Sequence, residues 1–450
     1  MRKLTDKTPS IFLLSLGCSK NQVDSEGMRG LLAAQGWKLL EQPDTAQVII
    51  VNTCGFIQPA QEESIAALLE AASYKRTGAC RLLIAVGCLV EKYRDELAQA
   101  LPEVDAFLGS QEYGRIAALV AEKLLLPPAP AMALPELYTQ RALLSPPWLA
   151  YIKIAEGCDN RCAYCLIPQL RGPYRSRPLA EIVAEARDLA RRGVQELVLL
   201  AQDTTAYGRD LQGKPLLPEL LTELAALPFL WVRLLYAYPD GVDAALLTVI
   251  ATHDTICPYL DLPLQHGDDG ILRAMGRRLS SAQLREKIVL IRSYIPDIAL
   301  RTTMMVGFPG ETETAFRNML DFLREIHCDW LGAFPYSREE DTPAYNLPGQ
   351  VDEATKARRL DATLQVAAAI TDERLQRHLG HILTVLAEAP AEQEYGPGWW
   401  RGRSAYQAPE VDGAVYFCAR SVKPGAVLRV QITGSEVYDL LGEEVGYEKE

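Results

Sequence analysis

The 450-residue chain has no apolar run near the ~18 residues a membrane-spanning helix needs; its longest, such as Leu82 to Val90, fall far short. It lacks an excess of positive charge: 46 Lys and Arg face 58 Asp and Glu, a formal net charge of -12. That excludes a general polyanion binder and leaves room only for a local basic groove. Disordered or collagen-like composition is absent too, because hydrophobic residues make 48% and charged residues 23% of the chain. Ten cysteines are too few for a small disulfide scaffold and too many to ignore in a large chain. Histidine is scarce, at five. His253, His327, His378 and His381 fall in helical or strand-start contexts, which leaves His266, near a strand end, as a weak pocket candidate. The amino terminus sets Met1-Arg2-Lys3 before the apolar stretch Ile11 to Leu16 and Cys18. Asp6 and Pro9 interrupt it, so no export signal is expected; the expected setting is cytoplasmic, with reduced thiols.

What is present divides the chain into about three domains' worth of pattern. Over residues 1–126, short apolar runs (Ile11 to Leu16, Val48 to Val51, Leu82 to Val86, Val104 to Leu108) alternate with amphipathic stretches, the mark of a parallel α/β unit. Residues 127–147 are a Pro-rich linker. Residues 148–374 repeat strand then helix six times, with strands starting near Tyr151, Leu197, Val232, Tyr259, Ala299 and Leu331. Six such units predict a partial, TIM-like (β/α)6 barrel. Over 375–442, runs at Ile382 to Leu386, Ala414 to Cys418, Val427 to Ile432 and Val437 to Leu440 sit between Gly- and Pro-rich turns, which predicts a small antiparallel β-barrel. Residues 443–450 form a charged tail expected to fray. The fold class is thus multidomain α/β plus all-β.

The strongest local signal is Gly157-Cys158-Asp159-Asn160-Arg161-Cys162-Ala163-Tyr164-Cys165. Three thiolates on one short loop suit three irons of a cubane cluster and leave the fourth iron open. A structural zinc site would want a fourth ligand, and no second CxxC knuckle lies nearby. The loop follows the first barrel strand, at the face where such folds keep their chemistry. A second set is spread through the first segment: Cys18, Cys54 and Cys88 each close a different apolar run. In a parallel sheet all strand C-termini share one edge, so these three can converge. Three ligands without an evident fourth again suggest an iron–sulfur cluster; three unrelated core cysteines are the bland alternative. Cys80, Cys257, Cys328 and Cys418 fit neither set and read as ordinary packing residues.

A CxxxCxxC with Tyr164 before its last cysteine, after strand one of a partial barrel, resembles the radical S-adenosylmethionine superfamily. The three-part plan resembles its methylthiotransferase branch, whose members join a three-cysteine domain, a radical barrel and a C-terminal TRAM domain of OB-like form. The resemblance implies two 4Fe–4S clusters and S-adenosyl-L-methionine as cofactors, with Cys158, Cys162 and Cys165 on one cluster and Cys18, Cys54 and Cys88 on the other. It also implies cofactor contacts near Tyr164, at Gln202-Asp203, and along Val306-Gly307-Phe308-Pro309-Gly310-Glu311, so that Gly307, Pro309 and Glu311 are site candidates. Arg233 and Arg301, polar groups on barrel strands, are candidate contacts as well, with a structural ion pair as the alternative. No catalytic residue beyond the cluster ligands is assigned.

Two branches compete for the substrate. One methylthiolates an adenosine of tRNA (the MiaB type); the other methylthiolates the β-carbon of an aspartate in the twelfth small-subunit ribosomal protein (the RimO type). Ser15-Leu16-Gly17-Cys18-Ser19-Lys20-Asn21, Thr53-Cys54-Gly55-Phe56-Ile57, Gln202-Asp203-Thr204-Thr205-Ala206-Tyr207-Gly208 and Gly332-Ala333-Phe334-Pro335-Tyr336-Ser337 resemble the second. The Gly267-Asp268-Asp269-Gly270 that follows His266 departs from that pattern. Charge favours the same branch. From Leu375 to Gly442 six basic residues face seven acidic ones, and the last eight add four acids against one lysine. That suits a basic protein partner better than tRNA phosphates, unless Arg401 and Arg403 form a local basic patch. The expected partners are that ribosomal protein, free or in the ribosome, with electron and sulfur donors, no membrane, and a monomeric enzyme. A non-catalytic iron–sulfur sensor or nucleic-acid-binding protein is the reading from another class.

Overall fold

Residues 8–132, 135–138 and 140–446 are described in the structure, a computed structural model. The first segment is a five-stranded parallel sheet: β1 Ser10–Ser15, β2 Lys38–Leu40, β3 Val48–Thr53, β4 Leu82–Gly87 and β5 Ala106–Gly109, in the order β2-β1-β3-β4-β5. Every residue of β3 and β4 is buried, as continuous apolar runs in a sheet covered on both faces should be. The helices α1 Ser19–Ala34, α2 Gln58–Thr77, α3 Cys88–Ala100 and α4 Ile116–Lys123 supply that cover. Short β2 escaped the pattern reading because three half-exposed residues carry no alternation. The strand order reverses between β1 and β3, and a doubly wound sheet opens its ligand crevice beyond the strand C-termini at such a point.

The Pro-rich segment is not a free tether. Leu137, Tyr138 and Arg141 are buried in it, and the Tyr138 hydroxyl donates to Asp24 of α1 at 3.0 Å. In the second segment six parallel strands follow: β6 Leu149–Lys153, then, beyond the two-residue pair β7 Ala155–Glu156 and β8 Arg175–Ser176, β9 Glu196–Leu200, β10 Trp231–Leu234, β11 Tyr259–Asp261, β12 Ala299–Val306 and β13 Trp330–Pro335. They run as two triplets, β10-β9-β6 and β11-β12-β13, joined by the Val232–Ile256 bridge. Among the described residues no pairing returns β13 to β6, so the barrel stays partial.

The third segment is a closed five-stranded barrel of β14 Ile382–Pro390, β15 Trp399–Arg403, β16 Val415–Cys418, β17 Val427–Glu436 and β18 Asp439–Glu444. One pairing in it, β16 with β18, is parallel and closes the ring. The expected fraying of the tail is corrected at its start: β18 runs through Glu443 and Glu444, paired to Cys418, Gln431 and Val430. Residues 447–450 lie outside the described residues. A single apolar cluster unites one face of the first sheet, the base of the six-strand barrel (Tyr151, Trp231, Tyr259, Trp330) and the interior of the small barrel (Val385, Phe417, Ile432).

Candidate functional site

Each of Cys18, Cys54 and Cys88 stands where a strand gives way to a helix. Cys18 immediately precedes α1, Cys54 follows β3, and Cys88 is the first residue of α3. A helix N-terminus lowers the cost of a thiolate placed there. Glycines make the close approach possible. Gly17 holds φ +82°, and a Cβ on it would lie 2.8 Å from Cys54 Cβ. A Cβ on Gly55 would lie 2.8 Å from the Leu89 backbone. The three cysteine positions therefore converge on one sheet edge, near enough for Cys18 and Cys54 to act electrostatically on Cys88. Burial pushes the Cys88 thiol up to about 12, with the charges of Cys18 and Cys54 adding to it and Arg171 opposing it.

The second loop follows β7. Gly157, at φ +81°, has no room for a side chain, since a Cβ would lie 2.1 Å from the Pro173 carbonyl oxygen. The loop is pinned from three sides: Cys158 N–H donates to Gly172 O at 3.2 Å, Ala163 N–H to Met275 O at 2.9 Å, and Ala344 N–H to Ala163 O at 2.8 Å. Burial pushes the thiols of Cys158 and Cys165 up to about 11 and about 12. Among the described residues no group of three or more His, Cys, Asp or Glu side chains is arranged to hold a single metal ion. Each set offers three cysteines, two of them thiols that burial makes hard to ionise without a cation (Cys54 and Cys88, Cys158 and Cys165), and no fourth ligand among the described residues. Those donors fit a cubane cluster with one open iron.

One guanidinium links the first set to the strand that leads into the second loop. Arg171, at the end of α5 Ile167–Arg171, has Nε 3.2 Å from Cys88 Sγ and Nη1 2.7 Å from Asp24 Oδ2, and it also donates to Asn21 and to Glu156. Glu156 lies two residues before Cys158. Burial raises its pKa, but Lys153 and Arg171 overcome that and hold it down to about 2. Gln202 Nε2 donates to Glu156 at 2.6 Å, while Gln202 Oε1 is buried with no hydrogen-bond partner. An orphaned acceptor beside the cysteine loop is what an absent ligand leaves behind.

The other sequence candidates divide. Tyr164 packs edge-on against Phe308, centroids 6.4 Å apart, on the loop after β12 that carries Gly307 and Pro309. Asp203 is spent on structure: it accepts from Asn160 at 2.8 Å and from Thr205. Glu311 is likewise turned inward, accepting from the Gly307 N–H, from His266 at 3.1 Å and from Arg359 at 2.8 Å. Both brace the loops rather than face a ligand. His266 is fully buried in that bracing, and its Nδ1 accepts from Asp268 N–H at 3.0 Å.

Arg233 and Arg301 need correction. Arg233 is fully buried between Glu196, at 2.7 Å, and the carbonyls of Ser404 and Ala405 in the small barrel. Arg301 reaches Asp412 of the small barrel at 3.2 Å and Asp261 at 3.5 Å. Both side chains point to the barrel base, away from the cysteines, so the structural ion pair is their role. Conversely, Arg277 and Tyr238 went unremarked in the sequence. The Arg277 guanidinium lies 4.0 Å over the Tyr238 ring, and both approach Cys162 Sγ, at 3.9 and 3.8 Å. The Arg277-Arg278 pair after Gly276 was their one faint signal. The Gly267 that departs from the expected pattern has a packing reason: a Cβ there would lie 2.5 Å from Phe322 Cβ.

Comparison with known proteins bears on the same segments. Residues 10–109 match the uncharacterized protein family UPF0004, residues 152–323 the radical SAM superfamily, and residues 379–445 the TRAM domain. The ribosomal protein uS12 methylthiotransferase RimO of Geobacter sulfurreducens is 46% identical over 447 residues, covering 98% of this chain and 99% of that one. Its counterpart from Clostridioides difficile is 44% identical over 439 residues, covering 96% and 98%. Among solved structures, the radical S-adenosylmethionine methyltransferase TsrM of Kitasatospora setae superposes with a TM-score of 0.55 over 90% of this chain and 80% of that one. At 14% identity that likeness shows the fold alone.

Proposed function

Because the chain belongs to the RimO family of radical S-adenosylmethionine methylthiotransferases, we propose that it methylthiolates the β-carbon of an aspartate in ribosomal protein uS12. As a member it is an enzyme that uses S-adenosylmethionine and 4Fe–4S clusters. The observation that carries the finer reading is the two three-cysteine segments, linked by Arg171 from Cys88 to the Glu156 that leads into the second loop. In this reading Cys158, Cys162 and Cys165 hold the radical-generating cluster, and Cys18, Cys54 and Cys88 hold the sulfur-inserting one. When bound, the cofactors supply one-electron cleavage chemistry and a transferable sulfur.

The chain's own residues do the rest. Tyr164, Gln202, Gly307 and Pro309 border the S-adenosylmethionine position, and the unpaired Gln202 Oε1 accepts from the cofactor's donor groups. Arg171 offsets the negative charge gathered at Cys88 and, through Glu156, ties the two ligand loops to one spacing. Arg277 and Tyr238 cover Cys162 against water.

For the substrate, the basic patch that tRNA would need is missing where it was most expected. Arg403 is 3% exposed and paired with Glu196 and Glu388, and Arg401 faces Glu388 at 4.0 Å. An acidic reader suits a basic ribosomal protein. The test is mass spectrometry after anaerobic incubation of reduced holoenzyme and S-adenosylmethionine with uS12 and, separately, with tRNA. A methylthio increment on an aspartyl peptide of uS12 is expected; an increment on tRNA adenosine alone would sink the reading.

A further inference from the structure

Among the fully buried cations of the described residues, one has no carboxylate partner. Every other buried lysine and arginine among the described residues, from Arg29 to Arg403, reaches a carboxylate. Lys20 reaches none, although only 7% of it is exposed. Its ammonium instead sits 3.0 Å from the centroid of the Tyr236 ring. A cation–π contact offsets only part of the cost of taking an ammonium out of water. The location adds to that cost. Lys20 lies in the first turn of the 16-residue helix α1, at the positive end of its dipole, and that turn has no acidic residue.

The surroundings say which anion is missing. Lys20 follows Cys18 by two residues. Tyr236 precedes Tyr238 by two, and the Tyr238 hydroxyl lies 3.8 Å from Cys162 Sγ. The Lys20–Tyr236 contact thus joins the segment that carries Cys18 to the segment that borders Cys162. The ring beneath it is fixed: Tyr236 keeps a left-handed φ of 56°, an unfavourable conformation for tyrosine. Three hydrogen bonds hold its backbone there: Thr204 N–H and hydroxyl to its carbonyl at 3.0 and 3.1 Å, and its own N–H to Asp261 at 3.0 Å.

We propose that Lys20 reads the acceptor residue: the side-chain carboxylate of the incoming aspartate pairs with its ammonium. This rests on the proposed function and deepens it. The β-carbon is one bond from the carboxyl carbon, so anchoring the carboxylate fixes the reacting carbon between the two thiol sets. Lys20 thereby distinguishes aspartate from asparagine, and from any nucleobase, since neither brings a carboxylate.

The test compares binding of two peptides to the reconstituted holoenzyme: a uS12 segment with its acceptor aspartate, and the same segment with asparagine. The wild type is expected to bind the aspartyl peptide roughly 10- to 100-fold more tightly, the usual reach of one charge-assisted hydrogen bond. Lys20→Met should bring that ratio near one, and Lys20→Arg should keep most of it, with iron content and absorption spectrum as controls for folding. A wild-type ratio near one, or a wild-type ratio retained in Lys20→Met, overturns the assignment. A Lys20→Met protein that keeps the ratio but shifts the reduction potential of the Cys18–Cys54–Cys88 cluster makes Lys20 a counter-ion of the cluster, and overturns it equally. If the wild type ignores the aspartyl peptide and modifies tRNA, the proposed function itself fails and takes the assignment with it.

Discussion

Two seams hold the six-strand barrel to its neighbours, and both bury charge. At the base, Arg233 and Arg403 close on Glu196 from either side, Arg301 bridges Asp261 and Asp412, and the backbone carbonyls of Ser404 and Ala405 fill the remaining donors. At the mouth, Asp24, Lys153, Glu156 and Arg171 form an equally buried network. The difference lies in what is left over. The mouth network runs directly onto a cysteine, leaves Gln202 Oε1 without a donor and leaves Lys20 without an anion. Buried ion pairs at the base are consistent with holding domains in register, whereas open valences that adjoin a cysteine mark where a ligand belongs.

The largest expected effects lie at the mouth and separate its two thiol sets. Cys158→Ala should abolish reductive cleavage of S-adenosylmethionine to 5′-deoxyadenosine, measured by chromatography. Cys54→Ala should keep measurable cleavage and lose methylthio insertion. If Cys54→Ala inserted sulfur at the wild-type rate, the division of labour between the sets would be wrong.

Next come the arginines that anchor each seam. Removing one partner of a buried pair strands the other, at a cost of about 3–5 kcal/mol. Arg403→Met should lose stability on that scale in chemical denaturation, because Glu196 and Glu388 lose a shared partner, yet it should leave S-adenosylmethionine cleavage intact. Arg171→Met should also lose stability, by less because Lys153 still faces Asp24 and Glu156, and should, in addition, lower iron retention, since its Nε is 3.2 Å from Cys88 Sγ. Equal iron content in the two variants would erase the contrast between the seams.

How far these seams were legible in the sequence follows from their physics. Cys158, Cys162 and Cys165 could be read from their CxxxCxxC spacing, and Cys18, Cys54 and Cys88 because each closes an apolar run and parallel topology sends all strand ends to one edge. The starts of β6, β9, β10, β11, β12 and β13 could be read for the same reason. Arg233 and Arg301 were misread as cofactor contacts because an arginine on a strand looks the same whether its side chain runs to the mouth or to the base. Lys153 and Arg171 gave no signal, and Asp24 stood out only within Val23-Asp24-Ser25-Glu26, which resembles the family, since the three come from separate elements and acquire their role only as partners. β15 was missed because Trp399-Trp400-Arg401-Gly402-Arg403 mixes aromatic, charged and glycine residues without alternation. Buried charge on a pattern-poor segment is where tertiary contact decides.

The smallest predicted effect tests whether the basal seam is purely structural, through its response to pH. Burial, helped by Arg377 and His381, depresses His378 to about 3, so its contribution is present above pH 6.5 and is lost as pH falls below that value. Burial pushes Asp412 the other way, up to about 6 despite Arg301 and Tyr259, so its contribution is lost as pH rises through 6 and recovered on acidification. Going from pH 7 to 5, His378 should cost about 2 kcal/mol and Asp412 should return about 1 kcal/mol, so the two largely offset each other. The wild type should therefore show a shallow pH profile in urea denaturation. His378→Gln should gain stability on acidification relative to the wild type, and Asp412→Asn should lose it more steeply. Parallel profiles for all three proteins would mean that neither group titrates with folding, and that the charge at the base is held by Arg233, Arg301 and Arg403 alone.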